Sequence, residues 1–244
     1  DNAKVKILSL FIYNSNPVIA VANQNKLIKN LRRENLFTVV SEIFHTDTCD
    51  YADIILPATS QLEQYDLMYS WGHFNLQYND KSIEPLGEAV SNTELFRRMA
   101  KVMNFKEEKF TFNEEKLIKL SLNWDSPTMQ KINFKKIKEN GFVRLNVGSA
   151  DERIPHKNGN FKTPSKKFEF FSSIYKDGGS ILDAYTQGNV LVKDEEVDPL
   201  PNYIPSKIKN DEFVLLSPKS HMFLNSGYAN LNNNKEIANK QRIY

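Results

Sequence analysis

Phe44–Pro57 reads FHTDTCDYADIILP, and its reading decides the fold. A polar cluster, Thr46-Asp47-Thr48, leads through a short turn, Tyr51-Ala52-Asp53, into an apolar strand, Ile54-Ile55-Leu56. Proline cannot donate to a sheet ladder, so Pro57 is expected to end that strand. Taken alone, the stretch predicts a polar loop feeding a buried strand.

Upstream, Val5–Tyr13 (VKILSLFIY) is β-branched and aromatic and predicts another buried strand. Asn14-Ser15-Asn16-Pro17 stops it with three turn formers before a proline. Leu27, Ile28 and Leu31 lie at helical spacing in a basic segment, and Leu36–Phe44 predicts a second strand. Strand, helix, strand, loop, strand is the pattern of a right-handed parallel α/β sheet.

Downstream, Thr93–Met103 predicts a helix with Leu95, Phe96, Met99, Ala100 and Met103 on one face and Asn92 or Thr93 as N-cap. Residues 106–141 are charged, with amphipathic helical pieces. Phe142–Val147 and Phe161–Phe171 read as strands, and 176–205 as a Gly-, Asp- and Pro-rich linker. Phe213–Ser217 (FVLLS) opens a further strand. One strand and a polar tail cannot bury a core, so the chain is expected to stop inside a second domain. The expected division is 1–104 for the α/β domain, 105–210 for a connecting region and 211–244 for the incomplete start of another domain.

Composition narrows the function. The 244 residues are 40% hydrophobic and 25% charged, as in an ordinary globular protein. With 32 basic and 30 acidic residues interspersed, nothing points to a nucleic-acid partner. The single cysteine, Cys49, excludes an internal disulfide and a four-cysteine iron–sulfur cluster in this stretch. No apolar run is long enough to span a bilayer, and no signal peptide is visible.

Several constellations admit two readings. A polar turn after a parallel strand, as in Tyr13-Asn14-Ser15-Asn16-Pro17, either faces a ligand crevice or is a plain turn. Glu42 near the end of the second strand can accept two hydrogen bonds from the N1–N2 edge of guanine, or face solvent. His45, Cys49 and the nearby aspartates do not have a zinc spacing and read as a polar loop with a helical turn. Glu63 with Asp66 is a carboxylate pair of no evident purpose. Trp71-Gly72-His73 either lines a cleft or packs in a core. Ser217–Ser226 (SPKSHMFLNS) is an anion-friendly loop or a solvent loop. There is no Gly-rich phosphate loop and no nucleophile elbow.

Set together, YNSNP, YADIILP, WGH, PLGEAVSNTELFRRMA and LLSPKSHMFLNS resemble, in order and spacing, the molybdopterin oxidoreductases of the dimethyl sulfoxide reductase type. The resemblance covers roughly residues 4–104 and 160–228. It implies a Rossmann-like parallel-sheet domain, a linker region and the truncated start of a β-barrel domain. It also implies molybdopterin guanine dinucleotide carrying Mo or W, with an iron–sulfur cluster, where present, upstream of this chain. By the same resemblance, Asn16, Ser41, Glu42, Thr46, Thr48 and Asn92 fall where the family contacts the guanosine end. Ser217, Lys219, Ser220, His221, Asn225 and Ser226 fall in the loop that wraps pterin and pyrophosphate. Here Glu42 and Asn92 stand where relatives often carry Asp. The residue that ligates the metal lies elsewhere in the family, so this chain alone is expected to be inactive. The implied whole protein acts on a small molecule such as formate or an S- or N-oxide, with an electron-transfer subunit as possible partner, in either cytoplasm or periplasm. The rival readings are a stand-alone guanine-nucleotide-binding module and an inactive remnant.

Overall fold

The computed structural model describes residues 6–172, 176, 198–203, 211–216 and 220–238. They form two compact units, one from the described residues of 1–147 and 218–244, the other from those of 148–217. In the first unit, strands β1 (Ser9–Tyr13), β2 (Phe37–Glu42) and β3 (Ile54–Pro57) make a parallel sheet in that order. Between β1 and β2 run a four-residue helix α1 (Pro17–Ala20) and the amphipathic α2 (Gln24–Leu31). The mixed α/β class and the parallel sheet expected from the sequence are both present.

Burial differs from expectation at the outer strands. β2 is central, and Thr38, Val40 and Ser41 on it are buried. β1 and β3 each have one paired side, and Ile54 and Ile55 of β3 remain 44% and 42% exposed. β3 ends at Pro57, as expected, with Pro57 as its last residue opposite Glu42; on an edge strand its missing donor costs no ladder bond. Small cores lie on the sheet: Ile12, Val40 and Cys49 in one cluster, and Val18, Leu31 and Leu36 under α2 in another.

Helix α3 (Asn92–Val102) starts one residue earlier than the sequence suggests. Its N-cap is Ser91, whose Oγ accepts from Glu94 N, and Asn92 is the first helical residue. Phe96 packs against β1, with ring centroids 5.9 Å from Phe11 and 5.0 Å from Tyr13. That packing holds the start of α3 near the end of β1.

A second, antiparallel sheet holds β4 (Asp66–Tyr69), β5 (Asn75–Asn79) and β6 (Phe142–Arg144), in that order; β4 and β5 escaped the sequence reading. Leu76, Tyr78 and Val143 from the sheet meet Met129, Phe134 and Ile137 in its core. Phe134 and Ile137 belong to α5 (Phe134–Asn140), capped by Asn133, whose Oδ1 accepts from Lys136 N at 2.9 Å. Gly141, at φ +73°, ends α5 in the left-handed region and turns the chain directly into β6. Helix α4 (Glu114–Ser121) places Ile118 against the same core.

Three expected strands are shorter or missing. Of Phe142–Val147 only Phe142–Arg144 pairs. Phe161–Phe171 forms turns instead, because Pro164 interrupts it and Lys166 takes φ +58°. Residues 213–216 form no strand, and Phe213, Leu215 and Leu216 stay exposed. Among the described residues no neighbouring strand takes up their backbone groups. Among the described residues no barrel is closed, and no helix is long and apolar enough to cross a membrane. Most of the expected linker at 176–205 lies outside the described residues.

Candidate functional site

Parallel strands end on one edge. Tyr13 pairs with Ser41, and Ser41 with Leu56, so the carboxyl ends of β1, β2 and β3 lie side by side. Ligands of open α/β sheets sit outside that edge. Five of the six residues expected at the guanosine end are on it or on the loops leaving it, and Asn92 reaches it from α3.

Asn16 is buried rather than a solvent turn. Its Oδ1 accepts the Thr48 hydroxyl at 2.6 Å, and Thr48 Oγ1 accepts Val18 N at 3.2 Å. Thr48 is 0% exposed, so its hydroxyl serves to hold Asn16 and α1. Asn16 Nδ2 has no partner among the described residues. Thr46 is half-buried; its carbonyl accepts Cys49 N at 2.8 Å and starts the one-turn helix Cys49–Tyr51. Glu42 is half-buried, with Oε1 taken by Ile43 N at 2.8 Å and Oε2 available.

Ser41 stands out. Its Oγ is buried, the residue is 2% exposed, and the oxygen has no hydrogen-bond partner among the described residues. Among the described residues the other such atom is Thr38 Oγ1, also on β2. Buried hydroxyls are nearly always paired, so an orphan at the ligand edge asks for an explanation.

Among the described residues, the remaining expected ones make no hydrogen bond to this edge. Ser217 and Lys219 lie outside the described residues. Ser220 Oγ accepts Met222 N at 3.2 Å, and Met222 O accepts Asn234 Nδ2 at 2.8 Å. His221 and Asn225 are exposed and Ser226 is half-buried in the same turn region.

Two residues with a part in the edge were named in the sequence reading but not assigned to the site. Asn14 follows β1 at φ +51°, and its Oδ1 accepts Asn92 Nδ2 at 3.0 Å. Glu63 is buried and receives Ser60 N at 2.6 Å and Leu86 N at 2.7 Å. These hydrogen bonds, those from Ser60 first, hold its carboxyl below the usual carboxylate range. Glu63 thereby pins the loop that continues to Val90, whose N donates to Pro57 O at 3.2 Å, and so delivers Asn92. The spacing Ser60-Gln61-Leu62-Glu63 is a capping box, a signal present in the sequence.

Trp71 is fully exposed in the turn between β4 and β5, so it packs in no core. His73 Nδ1 accepts Asn75 N at 3.2 Å in the same turn. His45 and Asp50 approach to 3.7 Å at the surface. Among the described residues no three His, Cys, Asp or Glu side chains are grouped to hold a metal.

Residues 1–102 match the family described as molybdopterin oxidoreductase. A probable oxidoreductase of Bacillus subtilis, YoaE, is 35% identical over 233 residues, which is 95% of this chain and 31% of the relative. The F420-dependent formate dehydrogenase subunit alpha of Methanocaldococcus jannaschii is 26% identical over 188 residues, 75% of this chain and 27% of the relative. Among solved structures, acetylene hydratase from Pelobacter acetylenicus shares the fold at TM-score 0.56 and 24% identity, over 80% of this chain and 24% of that one. The chain thus spans less than a third of the length of these relatives. The chain belongs to the molybdopterin oxidoreductase family of the dimethyl sulfoxide reductase type.

Proposed function

We propose that this chain is part of a molybdopterin-dependent oxidoreductase and that its β1–β2–β3 edge binds the guanosine end of a molybdopterin guanine dinucleotide. The observation that carries the reading is the buried, unpartnered Ser41 Oγ beside Asn16, Glu42 and Asn92. The donor set suits a nucleoside: hydroxyls and amides for ribose and base, and one carboxylate for the N1–N2 donors of guanine. Those four residues include no cation, so the set suits the nucleoside rather than the pyrophosphate. Pyrophosphate contact is assigned to the Ser217–Ser226 loop, with Lys219, Ser220 and His221 as the residues whose chemistry fits it.

When bound, the cofactor supplies two-electron transfer at Mo or W. This chain's own residues position it. Thr48 holds Asn16, Asn16 offers its amide, Ser41 a hydroxyl and Glu42 its free carboxylate oxygen. None of them is assigned to the metal, so the chain by itself is expected to be inactive. The formate dehydrogenase relative supports formate as a substrate of the whole protein, with an electron-transfer subunit as partner.

The test is size separation of the native protein, with molybdenum and tungsten read across the fractions. Co-elution of the chain's peptides with Mo or W, at about three times the chain's mass, is expected. Elution near 28.2 kDa without metal contradicts the proposal.

A further inference from the structure

A cleft of about 400 Å³ lies between α2 and the amino ends of β1 and β2, where Ile7 precedes β1 and Leu36 precedes β2. This is the sheet edge opposite the one that carries Ser41. The size is that of a small-molecule site. Ile7, Leu10, Leu27 and Leu36 give the cleft an apolar floor. Its polar side comes from α2. Lys26 and Asn30 are one helical turn apart, and Arg33 lies just past the end of the helix.

The cations of this cleft lack a counter-charge. No carboxylate lines it among the described residues. Arg33 is half-buried, and two backbone carbonyls fix its guanidinium: Nη2 donates to Ile7 O at 3.0 Å and Nε to Asn30 O at 3.3 Å. Arg97, the corresponding half-buried arginine of α3, meets both Glu94 and Glu114. Neither Lys26 nor Arg33 has an ion-pair partner among the described residues. A fixed, partly desolvated guanidinium beside an apolar floor suits an anion with an apolar body.

We infer that this cleft binds a medium-chain alkyl carboxylate, with its hydrocarbon over Leu10, Leu27 and Leu36 and its carboxylate between Lys26 and Arg33. A peptide fits less well, because it would press an amide group onto those leucines at every residue. A bare inorganic anion would leave the apolar floor unused. The inference is independent of the guanosine reading, which concerns the other edge of the sheet.

The experiment is calorimetric titration of the 244-residue chain with octanoate, acetate and octan-1-ol, at low and high salt. Octanoate is expected to saturate a single site with a dissociation constant below about 1 mM. Acetate is expected not to bind, and octan-1-ol to bind more weakly than octanoate. Added salt should weaken octanoate and leave octan-1-ol unchanged. Lys26 and Ala22 both line the cleft and are exposed, so Lys26→Gln and Ala22→Phe leave the core intact, which circular dichroism checks. Lys26→Gln is expected to lower octanoate affinity about three- to tenfold without affecting octan-1-ol. Ala22→Phe narrows the cleft and is expected to weaken both. Octanoate binding that is absent, that acetate matches, or that either variant leaves unchanged overturns the inference.

Discussion

The two sheets of the first unit use the same chain chemistry to different ends. In the antiparallel sheet, Leu76, Tyr78, Val143, Phe134 and Ile137 close a core, and no buried side-chain polar atom among the described residues is left over. In the parallel sheet the two orphan hydroxyls both sit on β2, and asparagines gather at the carboxyl edge. Satisfied polar groups mark a sheet that supports. On the function proposed above, the unsatisfied Ser41 hydroxyl near the carboxyl edge belongs to a sheet that receives.

The largest expected effect belongs to the supporting sheet. Ile137 is fully buried, and Ile137→Ala should cost about 2–5 kcal/mol in urea unfolding. Its GMP affinity, measured where the variant is folded, should match the parent's. A weakened nucleotide response there would break the division of labour.

Thr48 spans both roles. Thr48→Val removes the hydroxyl that serves Asn16 and Val18 N, and should cost about 1–3 kcal/mol together with GMP affinity. Thr48→Ser should restore both.

Glu63 gives a pH signature. Its folded-state pKa is depressed, so its contribution to stability is present above the ordinary carboxylate pKa and is lost as pH falls through the folded value. Glu63→Gln should flatten that acid limb of thermal stability while leaving neutral-pH GMP binding close to the parent's, measured by melts from pH 3 to pH 8. An acid limb unchanged in the variant would remove Glu63 as the latch of the loop before Asn92.

The smallest stability effect and the sharpest contrast belong to Ser41. Its Oγ has no partner among the described residues, so Ser41→Ala should change stability by no more than about 0.5 kcal/mol yet lower GMP affinity. A large loss of stability would mean that the hydroxyl is structural.

The parallel sheet was legible because its strands are apolar runs bounded by turn formers, as at Leu10–Ile12 before Asn14. Two of the three strands of the antiparallel sheet were not. Asp66–Tyr69 and Asn75–Asn79 are mixed-polarity segments around the Ser70–Phe74 turn, and the partner that makes Asn75–Asn79 a central strand lies more than 60 residues later at Phe142–Arg144. Strand propensity is decided by such partners rather than by the segment alone. The reverse error has the same cause: Phe213–Leu216 has strand composition and no neighbouring strand among the described residues. At the site, residue types were readable but burial was not. Nothing in the sequence distinguishes Thr48, sealed inside, from Thr46 near the surface, and the Asn14–Asn92 bond joins residues that tertiary contacts, Phe96 on β1 among them, bring together.

The most direct test of the receiving edge is amide hydrogen exchange of the chain with and without saturating GMP. Slowed exchange confined to residues around 14–18, 41–48 and 90–94, with β4 and β5 unchanged, is the predicted result. Slowing at β4 and β5, or nowhere, would contradict the assignment of the guanosine to the β1–β2–β3 edge.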